Sequence, residues 1–335
     1  MNTQYHERNI SMVMDMYELT MSNGYLNQGF KDTWVAFDVF YRNNPDNGGF
    51  AIFAGLQQVV EYIENLHFSE EDVEYLRSKR LFTEEFLEYL LHFRFRGDIY
   101  AMKEGTVMYP NEPVITVVAP LIDAQLIETT ILLEINHQSL IATKTNRIVQ
   151  AANGKPVSDF GARRAHNVDA AVYGARAAYI GGAAGTATVL AGKMFHIPIS
   201  GTMAHSWVMY YKDEFEAFKH YAENYPDGTV LLVDTYDVIG SGIPNAIRVA
   251  KEVLEPMGKR LKGIRIDSGD LAYLSKKIRK MLDDVGLEDC KIVVSNSLDE
   301  YTITSILQQG GKIDSFGVGE RLITAKSDPV FGAVY

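Results

Sequence analysis

After residue 155 the chain settles into a rhythm that few folds can accommodate. Six short apolar runs recur, each ending in small or acidic residues and each followed by a helical pattern. They are KPVSDFGARR (155–164), HIPISGTMAHS (196–206), TVLLVDTYD (229–237), KGIRIDSGD (262–270), CKIVVSNSLD (290–299) and KIDSFGVGER (312–321). In DLAYLSKKIRKMLDDVG apolar residues fall at 271, 274, 278, 281, 282 and 285, one face at a 3.6-residue period. NAIRVAKEVLEPMG repeats the device at 246, 250, 253 and 257. Buried strands alternating with helices require parallel pairing and right-handed crossovers. The polar run ends lie 33 residues apart from Asp234 to Asp267, 28 from Asp267 to Ser295 and 22 from Ser295 to Gly317, a spacing suited to βα units. Six units in one series favour an α/β fold built on an irregular β/α barrel over an open sheet.

The first third reads differently. A helix Met12–Asn23 capped by Ser11 is expected within residues 1–30, then a strand over 34–42 ending in Arg42. Helical patterns cover 52–66, 70–79 and 83–94. Hairpins broken by Gly105, Pro110 and Pro113 fill 97–120, and one long helix or two joined ones run over 121–152. The domains expected are an α+β domain over 1–125 and a barrel over 126–330. Residues 331–335 would open a C-terminal segment that completes the first domain. The closing DPVFGAVY reads as a strand just beginning, so the sequence reads as incomplete.

Charge removes some functions. With 32 basic and 43 acidic residues the net charge is −11, which disfavours nucleic-acid binding but allows a small phosphorylated substrate. The lone cysteine, Cys290, forms no intrachain disulfide and sits in an apolar run, as an inert thiol would. The start, MNTQYHERN, lacks a signal-peptide pattern, and AYIGGAAGTATVLAG (178–192) is shorter than the ~20 apolar residues a bilayer needs. A cytoplasmic setting is expected, with no membrane partner.

In β/α folds ligands bind where the strands end. The run ends gather Asp159, Phe160, Arg163, His205, Asp234, Asp237, Arg265, Asp267, Ser268, Ser295, Asn296, Ser297, Gly317 and Gly319. In GIRIDSGD the pleat sends Ile264 and Ile266 to one face and Arg265 and Asp267 to the other. That charged pair is either a structural ion pair or part of a site. SNSLD and FGVGERL place small residues after strands, as turns or as a phosphate cradle. His205 is either a hydrogen-bonded structural imidazole or a reactive group near Asp234 and Asp267, whose carboxylates would fix its tautomer. No HExxH, CxxC, G-x-S-x-G or Walker A motif occurs.

In this order, SDFGARRA, AYIGGAAGTATVLAG, IPISGTMAHSWV, DTYD, GIRIDSGD and FGVGERL resemble the nicotinate phosphoribosyltransferase family, a resemblance running from MDMYELTM to DPVFGAVY. It implies an ATP-coupled enzyme of NAD biosynthesis that joins nicotinate to phosphoribosyl pyrophosphate, with ATP transiently phosphorylating His205. Phe160 would stack on the pyridine ring, Tyr17 would supply the second face from the other subunit of a homodimer, and Arg265 would meet the carboxylate. Asp234 and Asp267 would orient His205 and the ribose or pyrophosphate. Ser268, Arg42 and Arg163 would contact substrate or phosphate, and Ser295, Asn296, Ser297, Gly317, Gly319 and Glu320 would cradle the 5′-phosphate. Mg²⁺ would be held mainly by pyrophosphate. Ala187 stands where related nicotinamide enzymes carry an amide-selecting aspartate, which fits the acid. The rival readings are a nicotinamide or quinolinate phosphoribosyltransferase, a non-catalytic phosphosugar-binding remnant, and a generic barrel aldolase or isomerase. The last would want a lysine or paired acids at strand ends, but Lys155 and Lys262 stand at strand starts.

Overall fold

The computed structural model describes residues 8–335, so the first seven residues of the expected N-terminal helical region lie outside the described residues. The chain divides into two compact units, one of residues up to Thr143 together with Ser327–Tyr335, the other Lys144–Lys326.

In the first unit the opening helix is Met16–Asn27, not Met12–Asn23. Asp15 caps it, and Glu18 closes a capping box at the third helical position. Ser11 is used elsewhere, its hydroxyl accepting the His67 backbone N–H at 3.0 Å. Strand β1 (Trp34–Tyr41) pairs antiparallel with β5 (Ile115–Pro120) from Trp34↔Pro120 to Val39↔Ile115. β3 (Asp98–Ala101) borders β5, and β12 (Ala333–Val334) borders β1 through Phe40↔Val334. The Tyr335 ring stacks on Phe37 with centroids 4.8 Å apart.

The helical pattern expected from residue 52 starts later, at Leu56. Ala51–Ile52 is instead strand β2, paired antiparallel with β4 (Val107–Met108). The break is Gly55, at φ 109, where a Cβ would meet the Glu134 carbonyl at 2.7 Å. Helices Leu121–Gln125 and Glu128–Ala151 follow. The unit boundary falls inside the second of these, between Thr143 and Lys144, rather than at 125/126. The reason is local: Ser139 and Thr143 accept the backbone N–H groups of Ala54 and Ile52 at 3.0 and 2.9 Å, tying this stretch to β2.

The second unit holds six parallel strands: β6 (Val157–Asp159), β7 (Gly185–Thr186), β8 (Val230–Leu232), β9 (Gly263–Ile266), β10 (Lys291–Val294) and β11 (Ser315–Val318). Their order, β7-β6-β11-β10-β9-β8, is that of a barrel opened at one seam. Among the described residues the ladder does not join β7 to β8. The expected strand over 196–206 shrinks to one parallel bridge, Thr186↔Ile199, because Pro198 has no N–H to give and Gly201 follows. The ladder partner on that side is β7, hidden in the Gly/Ala-rich stretch. Ile264, Ile266, Ile292 and Val294 are fully buried, as parallel sheets covered on both faces require. Each such side chain contributes about 1.5–3 kcal/mol. Among the described residues, no helix is long and apolar enough to cross a membrane.

Candidate active site

The strand tips of the second unit carry the chemistry. β9 ends in Arg265 and Ile266 with Asp267 directly after it, and the alternation read from GIRIDSGD holds: both isoleucines are sealed, while the side chains of Arg265 and Asp267 keep 15% and 31% exposure. The two form a loose ion pair at 3.8 Å. Arg265 donates from Nη1 to the Thr202 hydroxyl at 2.7 Å and to the Met203 carbonyl at 3.4 Å. Its Nε is buried with no hydrogen-bond partner. Burial lowers the guanidinium's pKa, opposed by the charges of Asp267 and Asp234. An arginine held this way is poised for a planar anion.

His205 does not end a strand. It opens the short helix His205–Tyr210, because the preceding segment runs past the seam without pairing. The imidazole still reaches the strand tips: Nε2 lies 3.7 Å from Asp267 Oδ2, and Nδ1 lies 3.1 Å from the Thr235 hydroxyl. The histidine side chain is 41% exposed, so it is open to solvent and not walled in by aliphatic groups. Asp234 reaches the cluster indirectly. Its Oδ2 accepts the Asp267 backbone N–H at 2.8 Å and the Ser268 hydroxyl at 2.6 Å, which fixes the turn that aims Asp267. Its Oδ1 is buried without a partner. Asp237 turns away to cap the following helical turn, accepting from Ile239 and Gly240, each at 3.0 Å.

A cavity of about 270 Å³ opens beside this network, lined by Phe160, Arg163, Ala187, Thr202, Met203 and Arg265 among others. Phe160 is presented by a turn that buried Asp159 organises, accepting from the Gly161 N–H and the Thr186 hydroxyl at 2.8 Å each. Burial raises the Asp159 carboxyl above the usual range although both donors oppose it. The other side of the ring faces Gly317 on β11, where no side chain would fit.

The turns after β10 and β11 are neighbours because those strands pair at Val293↔Ser315 and Val294↔Phe316. Ser295 is buried and its hydroxyl donates to Asp267, so that hydroxyl is already engaged. Asn296 and Ser297 both adopt left-handed backbone, at φ 87 and 49. Gly319 follows β11, and Glu320 pairs with Lys326 at 2.6 Å. Tyr17 and Arg42 belong to the first unit. Tyr17 is partly exposed, its phenol raised by burial and by Glu128, and Arg42 lines a cavity with Asn44, Asp328 and Phe331. Sequence reasoning misses Thr202, Thr235 and buried Glu214. The first two stand beside motif residues; Glu214 carries no local signal.

Residues 12–136 match the nicotinate phosphoribosyltransferase (NAPRTase) N-terminal domain, and residues 156–328 match the nicotinate phosphoribosyltransferase (NAPRTase) family. The chain is 49% identical to a nicotinate phosphoribosyltransferase of Bacillus subtilis over 99% of its own length and 67% of that protein. It is 45% identical to one from Mycobacterium tuberculosis, over 97% of this chain and 69% of that one. The crystal structure of human nicotinic acid phosphoribosyltransferase matches with a TM-score of 0.86 at 29% identity, covering 96% of this chain and 74% of that chain. With two family matches and relatives this similar, the chain belongs to the nicotinate phosphoribosyltransferase family.

Proposed function

We propose that the protein forms nicotinate mononucleotide and pyrophosphate from nicotinate and phosphoribosyl pyrophosphate, coupled to ATP hydrolysis, as a step of NAD biosynthesis. The observation that carries this reading is the cavity in which Phe160, Arg163 and Arg265 converge beside the His205–Asp267 pair. Nicotinate is a flat ring with a carboxylate. Phe160 offers it an aromatic face and Arg265 a guanidinium side chain in the cavity wall, with Tyr17 of a second copy of the chain as the other face in a homodimer. Ala187 supplies no side-chain acceptor for an amide at its place in the wall.

In the transfer the pyridine nitrogen attacks C1 of the ribose, the C1–O bond breaks, and its electron pair leaves on pyrophosphate. The protein's part is alignment and a fixed electrostatic frame for the leaving group. Arg163 and the 295–297 and 317–320 turns serve the phosphates. In the coupled step a ring nitrogen of His205, whose imidazole lies between Asp267 and Thr235, attacks the γ-phosphorus of ATP; the P–O bond to ADP breaks, and water later hydrolyses the phosphoramidate. Gly201 and Ala204 leave room for the phosphoryl group. Among the described residues no cluster of three or more His, Cys, Asp or Glu could hold a metal, while Asp234 leaves one oxygen without a partner. That donor set fits Mg²⁺ carried in mainly by pyrophosphate or ATP oxygens, where the ion would neutralise charge on the leaving group. A buried Cys290, its thiol pushed up to about 12 by burial, suits a reducing cytoplasm.

The test is an omission assay on the purified protein, leaving out nicotinate, phosphoribosyl pyrophosphate, ATP or Mg²⁺ in turn and following nicotinate mononucleotide. Product that needs nicotinate and phosphoribosyl pyrophosphate and is stimulated by ATP supports the reading. Preferential use of nicotinamide, or no product under any combination, contradicts it.

A further inference from the structure

The turn 295–299 presents a difficulty for an anion. The helix behind it, Glu300–Gln308, would attract a phosphate through its free N–H groups, but Asp299 is already there. Its Oδ1 accepts from the Thr302 N–H at 2.8 Å and from the Thr302 hydroxyl at 2.7 Å, so a carboxylate faces the turn in which a phosphate would sit. Arg321, on the segment following the neighbouring turn, donates from Nη1 to the other oxygen of that carboxylate. Burial alone would raise the Asp299 carboxyl, yet the hydrogen bonds from Thr302 and Arg321 bring it below the ordinary range. The adjacent cation is not diverted to Glu320, which is paired with Lys326. One residue further on, Glu300 takes Lys144 Nζ at 2.7 Å, a pair with side chains 11% and 3% exposed, which pins the far end of the turn.

Resting on the proposed function, we propose that Arg321 is a positioning residue for phosphate binding. It cancels the Asp299 charge that would repel the substrate's 5′-phosphate. The guanidinium does not need to touch the phosphate. Its effect passes through Asp299, so removing Asp299's charge should make Arg321 dispensable. A purely structural bridge would behave otherwise, since removing both partners would leave the two turns untied.

The experiment measures equilibrium binding of nicotinate mononucleotide and of nicotinate riboside, which lacks the phosphate, to the full chain and to Arg321→Ala, Arg321→Lys, Asp299→Asn and the Asp299→Asn/Arg321→Ala double variant. Asparagine still caps the helix. Arg321→Ala is expected to lose about tenfold or more in mononucleotide affinity, an interaction of charge-assisted size, with riboside affinity unchanged. Arg321→Lys should stay close to the native protein, and the double variant should recover most of the loss. Equal losses for riboside and mononucleotide, no loss in Arg321→Ala, or a double variant as weak as the single one would each overturn the inference. Should Arg321→Ala fail to fold, Arg321→Gln, which keeps much of the side chain's bulk without its charge, takes its place alone and in the double variant under the same criteria. A native protein that forms nicotinate mononucleotide in turnover yet binds it no better than the riboside overturns this inference and leaves the proposed reaction standing.

Discussion

The ring of Phe160 rests against the bare backbone of Gly317, where a Cβ would fall 2.4 Å from two ring carbons. A glycine on β11 therefore sets the position of an aromatic side chain carried by the turn after β6. Gly317→Ala should push the ring out of line and raise the KM for nicotinate about tenfold, the size of one lost aromatic stacking contact. Steady-state kinetics on Gly317→Ala, Phe160→Ala and the double variant check this. If the alanine raises KM by the same factor whether or not Phe160 is present, the contact is not the cause.

Arg265 is the buried donor of the cavity, and a lysine cannot reproduce both its bonds to Thr202 and Met203 and its free Nε. Arg265→Lys should reduce kcat/KM for nicotinate by roughly a hundredfold, about 3 kcal/mol for a lost charged hydrogen bond. Any residual use of nicotinamide should fall less. Competition assays with both bases measure the ratio, and an equal loss for the two would speak against a carboxylate contact.

Ala187 lines the same cavity. Ala187→Asp should set a carboxylate against a carboxylate, lowering kcat/KM for nicotinate on the order of a hundredfold while affecting nicotinamide less. Unchanged selectivity would remove Ala187 from the recognition site.

Glu214 is 3% exposed, and burial raises its carboxyl above the ordinary range, with Asp237 and Asp234 adding to the effect and Ser241 and Asn245 opposing it. The folded state thus keeps a proton that the unfolded chain gives up near the ordinary glutamate value of about 4.3. Stability is therefore lost as pH rises from that value through the raised folded one. Glu214→Gln should remove this component, so its melting temperature relative to the native protein should climb across that window and then level off. Thermal melts taken from about the ordinary glutamate value of 4.3 upward test it; parallel profiles would refute the assignment.

Much of this site is legible in the sequence because strand alternation is a two-residue code. It places Arg265 and Asp267 on one face before any coordinates, and the polar ends of β6 and of β8 to β11 fall where the apolar runs stop. β7 is not legible: a two-residue strand inside a run of glycine and alanine has no alternation to read. The helix start at Asp15 is written in the sequence as Asp-x-x-Glu, but Ser11 competes with it, and only the bond from His67 shows where Ser11 is used. His205 reads as a strand end and opens a helix instead, since pairing with β7 goes no further than the Ser200 N–H bond to Thr186. Thr202, Thr235 and Glu214 act through contacts 30 to 63 residues away in the chain or through burial, which no local pattern encodes.

The proposed reaction turns on the His205 imidazole, set between Asp267 and Thr235, carrying a phosphoryl group from ATP. Incubation of the purified protein with γ-³²P-labelled ATP, followed by acid and alkali treatment, reads this out. The expected label is stable to alkali and lost in acid, present in the native protein and absent from His205→Ala, whose nucleotide formation no longer responds to ATP. A label retained in His205→Ala, or ATP stimulation undiminished in that variant, would rule out a phosphorylated His205.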